Sequence, residues 1–192
     1  FEKVIDEIND SLDNDKVIIS LAPGFTITQL KEKLKAGRIV RSMPNTPAMI
    51  GEGMTGVCFD ENEFDENEID VINKIFESTG KAKKVDEKLM NSVVCASGSS
   101  PAYVFMFIEA LADSAVKCGL PRKDAYEFVA QTVLGSAKLM LETGKHPGEL
   151  KDMVCSPGGT TIAGVAELEK NGFRKAIFEA TDACFNKCNN IK

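Results

Sequence analysis

At 192 residues, 43% apolar and 27% charged, the chain has the mix of a globular protein and room for one large domain or two small ones. Its net charge of −6 comes without a basic stripe, which argues against a nucleic-acid partner. No apolar run approaches the roughly 20 residues that cross a bilayer, so no membrane partner is expected.

The first 85 residues alternate helix and strand patterns. Phe1–Asn9 is amphipathic, with Phe1, Val4, Ile5 and Ile8 on one face. Lys16-Val17-Ile18-Ile19-Ser20 is a short apolar strand of the kind covered on both faces, and Ala22-Pro23-Gly24 punctuates it. Thr26–Lys35 predicts a helix ending at Gly37, Arg38–Arg41 a strand, and Val57-Cys58-Phe59 another. The acidic stretch Asp60–Asp70 leads into a helix reaching about Ser78, and Lys81–Val85 closes the pattern. Such alternation implies a parallel or mixed α/β sheet.

From Asp86 the pattern is helical throughout. Pro101–Cys118 is apolar almost all round, with Glu109, Asp113 and Lys117 in one narrow stripe at spacing four, so most of its surface must be buried in a core or a subunit interface. Gly119 stops it. Pro121 opens the next helix, which runs to Thr143 before Gly144. A short helix follows His146-Pro147-Gly148, then a helix to about Asn171 and a last one from Phe173 to Asn189. The fold class is therefore α/β plus all-α, divided into residues 1–85 and 86–192.

Six cysteines stand at 58, 95, 118, 155, 184 and 188 without a CxxC, and with a single histidine this argues against a metal cluster. Small buried thiols in a reducing cytoplasm are expected, and Cys155 is not read as a nucleophile. The literal GxGxxG of Gly51–Gly56 follows a Pro-rich loop and leads into a strand, the reverse of a dinucleotide fingerprint. It is read as a flexible loop. His146 reads as a turn residue, Glu87 as a solvated carboxylate at a helix start, and Lys151 and Asp152 as surface residues.

Lys151–Val165 holds the densest chemistry, Ser156-Pro157-Gly158-Gly159-Thr160-Thr161. A Pro-Gly-Gly turn brings bare backbone to the start of a helix, where free N–H groups and the helix dipole favour a small anion such as a carboxylate. On the residues alone, a capped helix start and an anion site both stay open. Leu21, Ala22 and Pro23 follow one strand and Met43, Pro44, Asn45 and Thr46 the next. These are the positions where α/β sheets take ligands, and equally where ordinary turns occur.

Three segments together, Arg41-Ser42-Met43-Pro44-Asn45-Thr46-Pro47, Ser97-Gly98-Ser99-Ser100-Pro101-Ala102-Tyr103 and the SPGGTT run, resemble pyrroline-5-carboxylate reductase in order and spacing. Ser100 departs from the family's usual glycine, and Met153 from an asparagine that contacts cofactor in some relatives. The resemblance implies NAD(P)H-dependent reduction of 1-pyrroline-5-carboxylate to L-proline by a cytoplasmic homodimer or higher homo-oligomer. It assigns Gly159, Thr160 and Thr161 to the substrate carboxylate, Thr161 also to the ring nitrogen, Ser156 to the pocket wall, and residues 21–23 and 43–46 to the nicotinamide of NADP or NAD. No metal is implied.

The family's glycine fingerprint lies upstream of Phe1. Residues 1–85 then read as an incomplete Rossmann-like domain, and the chain as a fragment without activity. Its strands Lys16–Ser20 and Arg38–Arg41 are expected to present an open edge, and residues 86–192 to be the sturdier part. Two other readings are a Rossmann reductase of the β-hydroxyacid dehydrogenase type, whose catalytic lysine on a core helix is matched here only by Lys117, and a helical oligomerisation module without catalysis.

Overall fold

A computed structural model describes residues 2–13 and 15–190; Phe1, named above, lies outside them. Two compact units emerge, residues 1–101 with 181–192, and residues 102–180.

In the first unit, α1 (Glu2–Asn9), β1 (Val17–Ser20), α2 (Ile27–Lys33), β2 (Arg38–Met43), β3 (Gly53–Cys58), α3 (Glu66–Glu77) and β4 (Gly80–Lys84) form a four-stranded sheet in the order β1-β2-β3-β4. The β1–β2 and β3–β4 pairs are parallel and β2–β3 is antiparallel. Side-chain alternation along β2 sorts the two cores. Ile39 packs with Ile5, Leu30 and Leu34 under α1 and α2. Val40 packs with Val57, Phe59, Phe64, Ile72 and Phe76 under α3. Both later helices start on capping boxes, Thr26 with Gln29 and Asp65 with Glu68, which satisfy amide groups the helices leave open.

The expected open edge at Arg38–Arg41 is corrected by this order. β2 is paired on both sides, and the sheet edges are β1 and β4. β4 keeps its edge polar with Lys81, Lys83 and Lys84.

The glycines of the GxGxxG run are explained by the sheet. Gly51 sits at φ +75, ending the turn Thr46–Ile50. A Cβ on Gly53 would stand 2.7 Å from the Thr79 carbonyl oxygen, and one on Gly56 would stand 2.8 Å from Val93 Cγ1. Four of the six residues of the stretch read as a flexible loop are therefore strand, and Gly53 and Gly56 allow close approach of neighbouring atoms.

The helical region begins with one run, Glu87–Lys117. It contains α4 (Met90–Val93), a π turn over Val94–Gly98 and α5 (Ser100–Lys117). The π turn is closed by Ser99 N donating to the Val94 carbonyl at 2.8 Å. Ser100 has ordinary negative φ and its hydroxyl donates to the Ala96 carbonyl at 2.7 Å, so serine is accommodated there without strain. By length and hydropathy this run could cross a membrane, a candidate the sequence reading did not raise, because charged and small polar residues interrupt its apolar stretches.

Helices α6 (Arg122–Thr143), α7 (Pro147–Val154), α8 (Thr160–Lys170) and α9 (Phe173–Asn189) follow. α5 and α6 pack on Ala112, Ala125 and Val129, with Ile108, Val116 and Leu120 at the margin. That is a thinner core than the sheet's. The large side chains of this unit lie largely outside: Phe105 is 63% exposed, Phe128 64% and Phe178 70%.

Candidate functional site

The SPGGTT turn begins where α7 ends at Val154. His146 caps α7, its Nδ1 accepting from Gly148 N at 3.1 Å, which is a structural role. Gly158 takes φ +69, a conformation glycine adopts without cost, and Gly159 N donates to the Ser156 carbonyl at 3.0 Å to close the turn. Gly159 is the N-cap of α8 and has no side chain to cap it. A Cβ on Gly159 would lie 2.3 Å from Ser156 Oγ, so a larger residue here would make the Ser156 hydroxyl rotate away from the turn.

No acidic residue stands in the first turn of α8. The first-turn amides of Thr160, Thr161 and Ile162 precede the helix's own bonding pattern, which opens with Ala163 N to Gly159 O at 3.4 Å. Thr160 and Thr161 are exposed. Backbone donors, two exposed threonines and a positive helix end thus share one short turn, a combination chemically suited to a carboxylate. Lys151 pairs with Asp152 and Lys145 with Glu149, so neither lysine is a lone cation beside the turn.

In the sheet-bearing unit, parallel pairing brings the carboxyl ends of β1 and β2 side by side, with Ser20 opposite Arg41. Ser42 Oγ donates to the Ser20 carbonyl at 3.2 Å and Ala22 N donates to Ser20 Oγ at 3.3 Å, fixing how the chain leaves β1 toward Leu21, Ala22 and Pro23. Met43 ends β2, and Pro44, Asn45 and Thr46 turn away into the next element. Asn45 Oδ1 accepts from Met54 N at 2.9 Å, pinning this loop to β3. Leu21 is 58% exposed. The two loops named in the sequence are therefore neighbours. The SPGGTT residues belong to the other compact unit.

Sequence reasoning missed the role of Glu87, which is not the solvated carboxylate expected. Its Oε1 accepts from Ile27 N at 2.6 Å, the first amide of α2, and from Arg41 Nη1 at 3.1 Å. The Arg41 side chain is only 7% exposed and that of Glu87 31%. An arginine inside a strand, with Ile39 and Met43 two residues to either side on the same face, was the available signal, because a buried guanidinium needs a carboxylate. Gly24, Thr26, Gln29 and Lys88 join this pair around a polar cleft of 480 Å³.

Glu87→Ala should cost about 2 kcal/mol, a discounted value because water reaches the part-exposed carboxylate. Glu87→Gln, which keeps an acceptor for Ile27, should lose about half of that. Urea midpoints equal to wild type in both variants would show that the link contributes nothing.

The thiols also differ from expectation. Cys58 and Cys95 are buried, Cys155, Cys184 and Cys188 half-buried and Cys118 exposed. Burial comes first among the causes that raise the Cys58 thiol pKa.

Residues 87–191 match the pyrroline-5-carboxylate reductase dimerisation family. The chain is 54% identical over 186 residues to the pyrroline-5-carboxylate reductase of Escherichia coli K12, covering 96% of this chain and 69% of that protein. It is 44% identical over 182 residues to the Arabidopsis thaliana reductase, covering 95% and 66%. Its fold is similar to the Plasmodium falciparum pyrroline carboxylate reductase with NADP bound, at TM-score 0.88 and 36% identity over 97% of this chain and 75% of that one. The Coxiella burnetii reductase structure gives 0.87 and 34%, over 98% and 70%.

Proposed function

The chain belongs to the pyrroline-5-carboxylate reductase family, and from that premise we propose that it reduces 1-pyrroline-5-carboxylate to L-proline with NADPH or NADH, the last step of proline biosynthesis. The observation that supports the reading is the N-terminus of α8, a bare Gly-Gly turn with open amides and no acid in the helix's first turn. Gly159, Thr160 and Thr161 hold the substrate's carboxylate through N–H groups and hydroxyls, and Ser156 forms the wall. The Thr161 hydroxyl is assigned to the ring nitrogen, where a proton is gained as C5 accepts hydride. Holding the imine in one orientation is the protein's share of the catalysis.

The nicotinamide cofactor, when bound, supplies the hydride. Leu21, Ala22, Pro23, Met43, Pro44, Asn45 and Thr46 suit its nicotinamide end, lying beyond the carboxyl ends of two parallel strands. The pyrophosphate is assigned no residue, because among the described residues the GxGxxG run lies at a strand and does not open a helix. Residues 1–85 form the nucleotide-side domain and residues 86–192 the helical, substrate-binding one, in keeping with the family match beginning at 87. All six cysteines as thiols suit a reducing, cytoplasmic setting.

A second copy of the chain covers the apolar face of the helical unit. Tyr103, Phe107, Leu111, Phe173 and Ile177 line an open apolar cleft of 760 Å³ there. Sedimentation at micromolar concentration should give at least a dimer.

Thr161→Ala in the intact enzyme tests the site. Loss of one charge-assisted hydrogen bond is worth about 1.5–3 kcal/mol, or about 10- to 100-fold in kcat/KM, with KM raised and kcat lowered. Unchanged steady-state constants would remove Thr161 from the site.

A further inference from the structure

In the sheet-bearing unit, the π turn and α9 meet through sulfur and hydroxyl groups. Cys95 Sγ lies 3.8 Å from the Thr181 carbonyl oxygen, to which it donates, and Ser99 Oγ lies 3.3 Å from Cys184 Sγ. Cys95 and Ser99 are one turn apart on their segment. Thr181, Cys184 and Cys188 follow one another at helical spacing on α9. A helix carbonyl points toward the C-terminus, so a thiol resting on the Thr181 oxygen sits level with the next turn. A helical side chain leans back toward the N-terminus, so Cys184 leans toward that same level. We propose that Cys95 and Cys184 form a reversible disulfide that staples α9 to the π turn.

The neighbouring sulfurs register one another electrostatically. Burial first, then Cys184 and Cys188, push the Cys95 thiol up to about 11. Burial first, then Cys184, push the Cys188 thiol up, while a hydrogen bond with Cys95 pulls it the other way. Cys95 therefore remains protonated near neutral pH and reacts slowly, under equilibrium control, and is not a fast nucleophile. Cys184 and Cys188 are themselves a poor pair. Side chains four apart on a helix have Cβ atoms about 5–6 Å apart, and a disulfide wants about 3.5–4.5 Å. A surface opening of 280 Å³ bordered by Ser92, Cys95, Thr181 and Phe185 gives a small oxidant a way in.

The co-reactant is a small-molecule disulfide such as oxidised glutathione. One protein thiolate attacks it, forming a mixed disulfide and releasing one glutathione. The second protein thiol then displaces the other glutathione. One S–S bond breaks and one forms, and two electrons and two protons pass from the protein to two glutathione thiols.

The assembled protein is brought to equilibrium in glutathione buffers of graded potential, acid-quenched and read by intact mass and non-reducing peptide mapping. The expected result is a loss of about 2 Da with one peptide pair joining Cys95 and Cys184, reversed by dithiothreitol. Closing so long a loop should raise the thermal midpoint by about 10 °C. Cys188→Ser must retain the cross-link and Cys95→Ser must lose it. The retention arm holds even should Cys95→Ser fold poorly. A fully reduced protein across the series, glutathione adducts alone, or a link through Cys188 would overturn the assignment.

Discussion

Phe107→Glu should take the homo-oligomer apart. The Phe107 ring stands 6.4 Å from that of Phe173 and is 40% exposed, an apolar surface left open within one copy of the chain. Large aromatic residues at the centre of an interface are commonly worth about 2–4 kcal/mol, and placing an unpaired carboxylate in the same spot adds a desolvation penalty. Together these weaken association at least about 1000-fold, enough to give a single-chain species at micromolar concentration. Far-UV circular dichroism should still show helix, which separates dissociation from unfolding. Sedimentation identical to wild type would place the interface elsewhere.

Gly80→Ala should be the most damaging single change in the sheet. Gly80 has φ +137, and a Cβ there would lie 2.3 Å from the Gly53 carbonyl oxygen and 2.4 Å from its nitrogen. Both contacts are backbone in a strand already tied to Thr79 by Gly53 N at 2.9 Å, so neither side can step aside cheaply. Strained φ and an overpacked backbone each cost about 1–3 kcal/mol, giving a loss of about 3 kcal/mol or more. The urea midpoint should fall with amide protection lost first along β3 and β4. A variant as stable as wild type would mean that the two strands separate freely at this end.

Much of this was legible in the sequence because the signals were local. Periodicity and glycine stops located the strands and the helices of residues 86–190, and the turn chemistry of Ser156–Gly159 marked the candidate carboxylate site. Three motif segments in order carried the family. The β-hydroxyacid dehydrogenase reading gives way to 54% identity with a pyrroline-5-carboxylate reductase.

What was not legible depended on distant partners. Strand order could not be read, because nothing near Arg38–Arg41 announces that β3 will pair with it antiparallel. Glu87 looked solvated because its partners, Ile27 and Arg41, are 60 and 46 residues away. The strand that begins inside the GxGxxG run was hidden because glycine's local meaning is freedom, and the tertiary reason for these glycines is crowding. Burial of the cysteines depended on strand pairing for Cys58 and on which helices meet for Cys95.

The small core of the helical unit, Ala112, Ala125 and Val129, makes stability a matter of abundance. If a second copy covers it as proposed, a unit that keeps so little apolar surface inside itself draws its remaining cohesion from that copy, and mass action then sets how much of it is folded. Each tenfold dilution removes about 1.4 kcal/mol from the association free energy, so the unfolding midpoint should drift downward with the logarithm of concentration. In a cell, halving expression would then lower more than the number of enzyme molecules. It would also raise the share of each remaining chain's time spent open to proteases, coupling turnover of the protein to its own supply.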